Sequence, residues 1–69
     1  MELLFLNTKE NLKVIFNPDL RQIEAYDNGE LVHQRYISFN TTDDELINIA
    51  SVIYKKLKEK KYDFKNVDI

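Results

Sequence analysis

The sequence predicts an α+β fold: a four-stranded antiparallel meander (β-β-β-β-α) with one long C-terminal amphipathic helix packed on one face. Three observations support this prediction. Apolar residues recur with the period of a helix over 42–60, and strand-forming residues dominate the chain before it. The pair Asn28-Gly29 separates two such stretches and is the preferred pair for a two-residue hairpin turn. The 69 residues suffice for one small domain, 1–69.

Polar or turn-forming residues delimit the strands. We predict strands at about 3–7, 12–16, 21–27 and 30–39. In the first hairpin, a loop of four residues places Phe5 opposite Val14 and Leu3 opposite Phe16. Because side chains alternate along a strand, the face away from Phe5 should carry Leu4, Leu6, Lys13 and Ile15.

The Asn28-Gly29 turn fixes the expected register of the second hairpin, beginning with Tyr26 opposite Leu31. The remaining predicted pairs are Ala25 with Val32, Glu24 with His33, Ile23 with Gln34, Gln22 with Arg35 and Arg21 with Tyr36. This register sets a carboxylate opposite an imidazole and a guanidinium opposite an aromatic ring, and both pairings are favourable.

The helix is predicted over about 42–60, and the residues at its start match a capping box. Thr42 and Glu45 have the spacing at which each side chain bonds the other residue's backbone N–H. The apolar face predicts that Leu46, Ile53 and Leu57 lie in the core. The C-terminal tail, 62–69, alternates aromatic and charged residues, which indicates a short strand or a docked segment.

Charge and composition narrow the classes of protein. The net charge is −2, which is the sum of −5 over residues 1–54 (four basic and nine acidic side chains) and +3 over residues 55–69 (six lysines and three acids). There is no cysteine, so disulfide frameworks and thiolate metal sites are excluded. The first residues lack the basic region of a signal peptide, and their run of consecutive apolar residues is too short to span a membrane. We therefore expect a cytoplasmic protein that does not engage membranes.

No constellation of residues predicts catalysis. His33 is the only histidine, and a general base needs an orienting acid and a nucleophile within hydrogen-bond reach. Its expected partner Glu24 suggests a cross-strand surface pair instead. Gly29 is the only glycine, so a phosphate-binding loop is absent, and no residue spacing indicates a metal ligand set. We expect no enzyme activity, no catalytic residues and no cofactor or metal.

Surplus apolar surface predicts a protein-binding function. One helix can cover one face of a sheet, and an exposed apolar patch on the other face usually marks a contact site. The predicted protein interface comprises Leu4, Leu6, Ile15, Tyr26 and Leu31. The alternatives are that the tail covers this patch or that bulges redirect the side chains. We expect a homodimer or a protein partner, in an accessory or regulatory protein of phage or mobile-element origin.

Single-stranded nucleic acid is the alternative partner, because small single-strand binders also use four strands and a helix. Such a site combines basic and aromatic residues on one surface. The candidate contacts are Arg21, Arg35, Tyr36, Lys55, Lys58 and Lys61. Acidic residues on the strands oppose a polyanion, so this alternative ranks below the protein interface.

Overall fold

Each strand of the sheet pairs with its neighbour in sequence. The computed structural model describes residues 1–62 and has these elements: β1 (Glu2–Asn7), β2 (Leu12–Asn17), β3 (Gln22–Asp27), β4 (Glu30–Tyr36) and α1 (Asp43–Lys58). The antiparallel sheet has the order β1-β2-β3-β4. The helix packs across β1, β2 and β3 and leaves β4 uncovered. The predicted fold class is confirmed, and the predicted tail residues 63–69 lie outside the described residues.

Two of the connections share one loop design. In the first, the Asn7 side-chain oxygen accepts the Glu10 N–H at 3.0 Å, and Asn11 closes the loop at φ 56°. In the second, the Asn17 side-chain oxygen accepts the Asp19 N–H at 3.1 Å, and Arg21 closes the loop at φ 51°. Asparagine promotes such turns because its side chain mimics the backbone of the turn.

The third connection is the predicted two-residue turn. Asn28 and Gly29 both have positive φ, 54° and 82°, as a type I′ turn requires. The Asn28 side chain accepts a 2.8 Å hydrogen bond from Asn11, which ties the two loops at this end of the sheet together.

Strand β1 contains a bulge that corrects the predicted register. Phe5 pairs with Val14 as predicted, but beyond the bulge Leu3 pairs with Ile15, so the predicted Leu3–Phe16 pair is wrong. The extra residue is Leu4, which packs against the core beneath α1 and not on the opposite face. A bulge inserts one residue and thereby reverses the facing of every side chain beyond it.

A second bulge interrupts β4. Tyr26 pairs with Leu31 as predicted, and Val32 is then the extra residue, so Ala25 pairs with His33. The other predicted pairs of this hairpin are wrong by one position: Glu24 pairs with Gln34, Ile23 with Arg35 and Gln22 with Tyr36. Val32 packs against the core, and its burial is the physical reason for the shift.

Strand β4 ends at Tyr36 and not at Phe39, because Ile37 turns into the core and is 2% exposed. Its N–H donates to the Arg21 carbonyl oxygen at 2.8 Å, which closes this end of the sheet. The chain then crosses to the helix, whose capping box is confirmed: Thr42 and Glu45 exchange hydrogen bonds of 3.0 and 3.2 Å. This hydrogen bond from the Thr42 N–H lowers the pKa of Glu45.

The core lies between α1 and the three strands beneath it. Its buried strand and loop residues are Leu12, Val14, Phe16, Ile23, Ala25 and Ile37. Its buried helix residues are Leu46, Ile49, Ala50, Ile53 and Leu57, which include the predicted Leu46, Ile53 and Leu57. At one side of this core the rings of Phe5 and Tyr54 stack with centroids 5.0 Å apart.

Replacing Ile53 by alanine should lower the free energy of unfolding by about 2–5 kcal/mol, because a fully buried side chain leaves a cavity. Ile47 on the same helix is 44% exposed, so Ile47→Ala should cost less than about 1 kcal/mol. Urea unfolding at low protein concentration measures both. Equal losses for the two variants would contradict the assigned core.

Candidate functional site

We define the open face as the surface of the sheet that points away from α1. Paired residues share a face, so the register assigns this surface directly. Its members are Leu3, Leu6, Lys13, Ile15, Asn17, Gln22, Glu24, Tyr26, Leu31, Gln34 and Tyr36. It is the main candidate for a functional site because no described element covers it.

The centre of the open face is a polar cluster built around Glu24, whose side chain is only 5% exposed. Gln22 and Asn17 donate to its Oε2 at 2.5 and 3.3 Å, and the Tyr26 hydroxyl donates to its Oε1 at 2.8 Å. A carboxylate that is nearly buried needs such donors to remain charged. The cluster therefore holds a negative charge at a fixed position in the sheet.

The same hydrogen bonds shift the ionisation of both partners. The bond from Gln22, with further bonds from Tyr26 and Asn17, lowers the pKa of Glu24 despite its burial. The bond to Glu24 raises the pKa of Tyr26, because it stabilises the protonated hydroxyl. The Lys13 ammonium lies over the Tyr26 ring, 5.1 Å from its centroid, and adds a cation to the cluster.

Apolar side chains lie on either side of this polar centre. On β1, Leu3 and Leu6 are each 55% exposed, and on β4, Leu31 and Tyr36 are 43% and 64% exposed. Ile15 lies between these borders and is only 6% exposed, so its side chain is covered by its neighbours on the face. The open face thus has two exposed apolar borders and a hydrogen-bonded polar middle.

The predicted interface residues differ in their exposure to solvent and in the face of the sheet on which they lie. Leu6 and Leu31 are exposed, on opposite borders of the open face. Tyr26 lies between them, half-buried and bonded to Glu24, and Ile15 is buried. Leu4 lies against the helix-side core because of the bulge, so its predicted placement on the open face is corrected. Whether this surface binds a protein stays a prediction.

The predicted nucleic-acid contacts do not gather on one surface. The Arg21 guanidinium lies between the rings of Phe16 and Phe39, 5.2 and 4.9 Å from their centroids, and donates to the Ser38 carbonyl oxygen at 2.7 Å. Arg35 pairs with Ile23 and therefore lies on the helix side of β4.

Tyr36 and the helix lysines are separated along the strands. Tyr36 pairs with Gln22 at the start of β3, whereas the end of α1 is fixed to Asp27 at the end of β3 by a 3.0 Å bond from Lys60. A strand of six residues spans about 20 Å. Lys55, Lys58 and Lys61 are exposed near that far end. Binding of nucleic acid by these residues stays a prediction.

The contact between Asp27 and the helix end fixes α1 on the sheet. The Tyr62 hydroxyl and the Lys60 ammonium both donate to Asp27 Oδ2. These bonds lower the pKa of Asp27, chiefly through Tyr62, and raise the pKa values of Lys60 and Tyr62. Tyr62, the first residue of the predicted tail, therefore contacts the sheet.

His33 is not a neighbour of Glu24, because the bulge places His33 on the helix side and leaves Glu24 on the open face. Burial lowers the pKa of His33, and the positive charge of Arg35 lowers it further. A shallow depression beside the bulge is lined by Leu31, Val32, His33 and Gln34.

Within residues 1–62, His, Asp and Glu side chains do not gather in any group of three that could hold a metal ion. The one helix of this part of the chain lacks the length and apolar character needed to cross a membrane.

Lys13 was expected on this face, whereas Asn17, Gln22 and Glu24 were not predicted as site residues. The spacing of Gln22, Glu24 and Tyr26 by two residues indicates a shared face and was an available signal. Asn17 comes from the neighbouring strand, so only the register between β2 and β3 reveals its contact with Glu24.

Replacing Glu24 by glutamine should lower the free energy of unfolding at pH 7 by about 1–3 kcal/mol, because three donors lose a charged acceptor. The pKa of Glu24 is lowered on folding, so its ionisation stabilises the protein above the unfolded pKa of about 4.3. This contribution is lost as the pH falls through the folded pKa, and the difference between variant and wild type should then shrink. Denaturant titrations between pH 7 and 3 measure this. The exposed Glu30→Gln is the control, with an expected change below about 0.5 kcal/mol.

His33 should make the protein less stable as the pH falls from 7 toward 5. Its folded pKa is lowered, so protons bind preferentially to the unfolded chain, whose histidine pKa is about 6.5. Stability is therefore greatest above that value and falls until the folded pKa is reached. His33→Gln should remove this slope, whatever its effect on absolute stability, as measured by melting temperature against pH. An unchanged slope would contradict the assignment to His33.

Comparison with known proteins identifies no relative of this chain. The sequence matches no protein-family model, and neither a curated protein nor a solved structure is significantly similar to it. The function is therefore inferred from the surfaces described above.

Proposed function

We propose that this chain is a small non-enzymatic binding protein that contacts another polypeptide, either a second copy or a different protein, through the open face and its edges. The proposal includes a cytoplasmic accessory or regulatory role and, from the size of the chain, a phage or mobile-element origin. The observation that carries it is the exposure of Leu3, Leu6, Leu31 and Tyr36 on a face that no described element covers.

The composition of the open face supports a specific contact. Protein interfaces combine apolar anchors with polar groups whose hydrogen bonds are satisfied. Here the exposed leucines supply the anchors, and the Glu24 cluster supplies polar groups that already have partners within the chain. A partner that covers this face would therefore bury Glu24 without leaving its carboxylate unpaired.

Single-stranded nucleic acid is the second candidate, and one observation favours it. Lys13, Tyr26 and Tyr36 lie on the same face, and a cation beside aromatic rings is the pattern that binds single strands. The fixed negative charge of Glu24 at the centre of that face opposes a phosphate backbone. The protein interface is therefore the better supported function.

Lysine substitutions at the two exposed leucines test the proposal. Leu6→Lys and Leu31→Lys place a charge on each border of the open face and should leave the fold intact, since both side chains point into solvent. We expect at least one of them to abolish an association of the wild type, seen as self-association by analytical ultracentrifugation or as a retained protein partner in affinity capture. The matched control is Leu20→Lys, in the loop between β2 and β3, where the side chain is 60% exposed.

The contrary result is a wild-type chain that stays monomeric, retains no protein, and binds labelled single-stranded DNA or RNA with an affinity that falls steeply with salt. That outcome would contradict the protein interface and support binding of single-stranded nucleic acid.

A further inference from the structure

The helix side of β4 lies beyond the reach of α1, which packs across β1, β2 and β3. Val32, His33 and Arg35 are nevertheless half-buried on that side. Burial is also the main cause of the lowered pKa of His33. The opposite side of the same strand differs, because its side chains are exposed: Leu31, Gln34 and Tyr36. The contrast points to a segment that shields the helix side of β4.

We define the β4 groove as the channel between α1 and the helix side of β4. Its floor consists of Val32, His33 and Arg35. Its wall consists of Val52 and Lys56, which are both partly buried. At 100° per residue each of them lies about 160° around α1 from Tyr54, the residue that stacks on β1. They therefore lie on the side of the helix nearest β4.

The chain reaches one end of the β4 groove at Tyr62. Its hydroxyl and the Lys60 ammonium both donate to Asp27 Oδ2. Asp27 pairs with the core residue Leu12, so its side chain lies on the helix side of the sheet. It also pairs with Glu30, the first residue of β4. Tyr62 is thus fixed where β4 begins, on the side of the sheet that carries the groove.

Residues 63–69 match the β4 groove in length. Seven extended residues span about 23 Å, and β4 also has seven residues. A segment that leaves Tyr62 and follows the groove runs parallel to β4. It sets residue 63 level with Glu30 and Asp68 level with Arg35.

The charges of this segment complement those of the groove. Arg35 and Lys56 supply two cations, whereas residues 63–69 contain two acids, Asp63 and Asp68, and one lysine. A carboxylate level with a guanidinium can accept two parallel hydrogen bonds from it. Salt screens a partly buried pair less than a pair at the surface, so such a contact also fixes the register of the segment.

The apolar residues of the segment complement the groove as well. Phe64, Val67 and Ile69 supply three large apolar side chains. Val32 on the floor and Val52 on the wall both pack against the core and are only partly buried. Covering these valines removes further apolar surface from water, which favours binding of the segment.

We infer that residues 63–69 bind in the β4 groove of their own chain, parallel to β4, with Asp68 paired to Arg35. The chain thereby closes this side of its sheet from within. The open face on the other side remains available to a partner, because the contact between Tyr62 and Asp27 starts the segment on the helix side.

A disulfide tests where the segment lies. The full chain contains no cysteine, so two introduced cysteines report on one contact. In the inferred arrangement Asn66 is level with His33, so that a disulfide can join these positions. His33→Cys combined with Asn66→Cys should form it with a high effective concentration, measured at equilibrium with glutathione.

The matched control is Gln34→Cys combined with Asn66→Cys, which moves the first cysteine one residue along β4 and onto the open face. We expect an effective concentration at least about tenfold lower for this pair. Melting curves show whether each reduced variant is folded. Without any substitution, the Phe64 ring should show nuclear Overhauser effects to the Val32 methyl groups and none to Leu31.

A charge exchange tests the inferred register. In the variant with cysteines at positions 33 and 66, Arg35→Glu and Asp68→Arg should each lower the effective concentration by roughly threefold to tenfold, because like charges then face each other. Both substitutions together restore opposite charges and should return it to within about threefold of the starting value.

Equal effective concentrations for the two cysteine pairs, or nuclear Overhauser effects from Phe64 to Leu31, would overturn the inference. A double charge variant no better than either single variant would overturn it as well. None of these results bears on the proposed function, which rests on side chains of the open face, so the two failures are distinguishable.

Discussion

Side chains on a strand alternate between the two faces of a sheet, and in this protein one extra residue in each edge strand resets that alternation. Leu4 and Val32 are these extra residues, and both pack against the core. Beyond each bulge the set of side chains that faces the helix is exchanged for the other set. The composition of both sheet surfaces depends on these two positions.

The bulges in β1 and β4 have different effects, because different side chains lie beyond them along the two strands. In β1 the bulge turns Leu3 to the open face, where it joins Leu6 and enlarges the apolar border. In β4 the bulge turns His33 and Arg35 toward the helix side and leaves Gln34 opposite Glu24. A polar centre and apolar borders result, although no single stretch of sequence shows that division.

The fold class, the loops, the helix cap and the helix core could be predicted because each depends on local signals. Asn28-Gly29 determines its turn, Thr42 and Glu45 determine the cap, and the period of the apolar residues determines which side of α1 is buried. The bulges could not be predicted, since Leu4 and Val32 are ordinary apolar residues of strands that contain neither glycine nor proline. Packing beneath the helix determines where the bulges occur. The predicted register is therefore correct at Tyr26–Leu31 but wrong at every later pair of this hairpin.

The strand order also determines how this chain can reach its native state. Each strand pairs with the one that precedes it, through loops of four, four and two residues, so the entropy lost in closing each hairpin is small. Proteins dominated by such local contacts fold quickly, whereas distant pairings slow the search. The longest closure here joins α1 to β1, between Phe5 and Tyr54. Docking of the helix should therefore be the late step, and until it occurs the aliphatic side chains of β2 and β3 remain in contact with water.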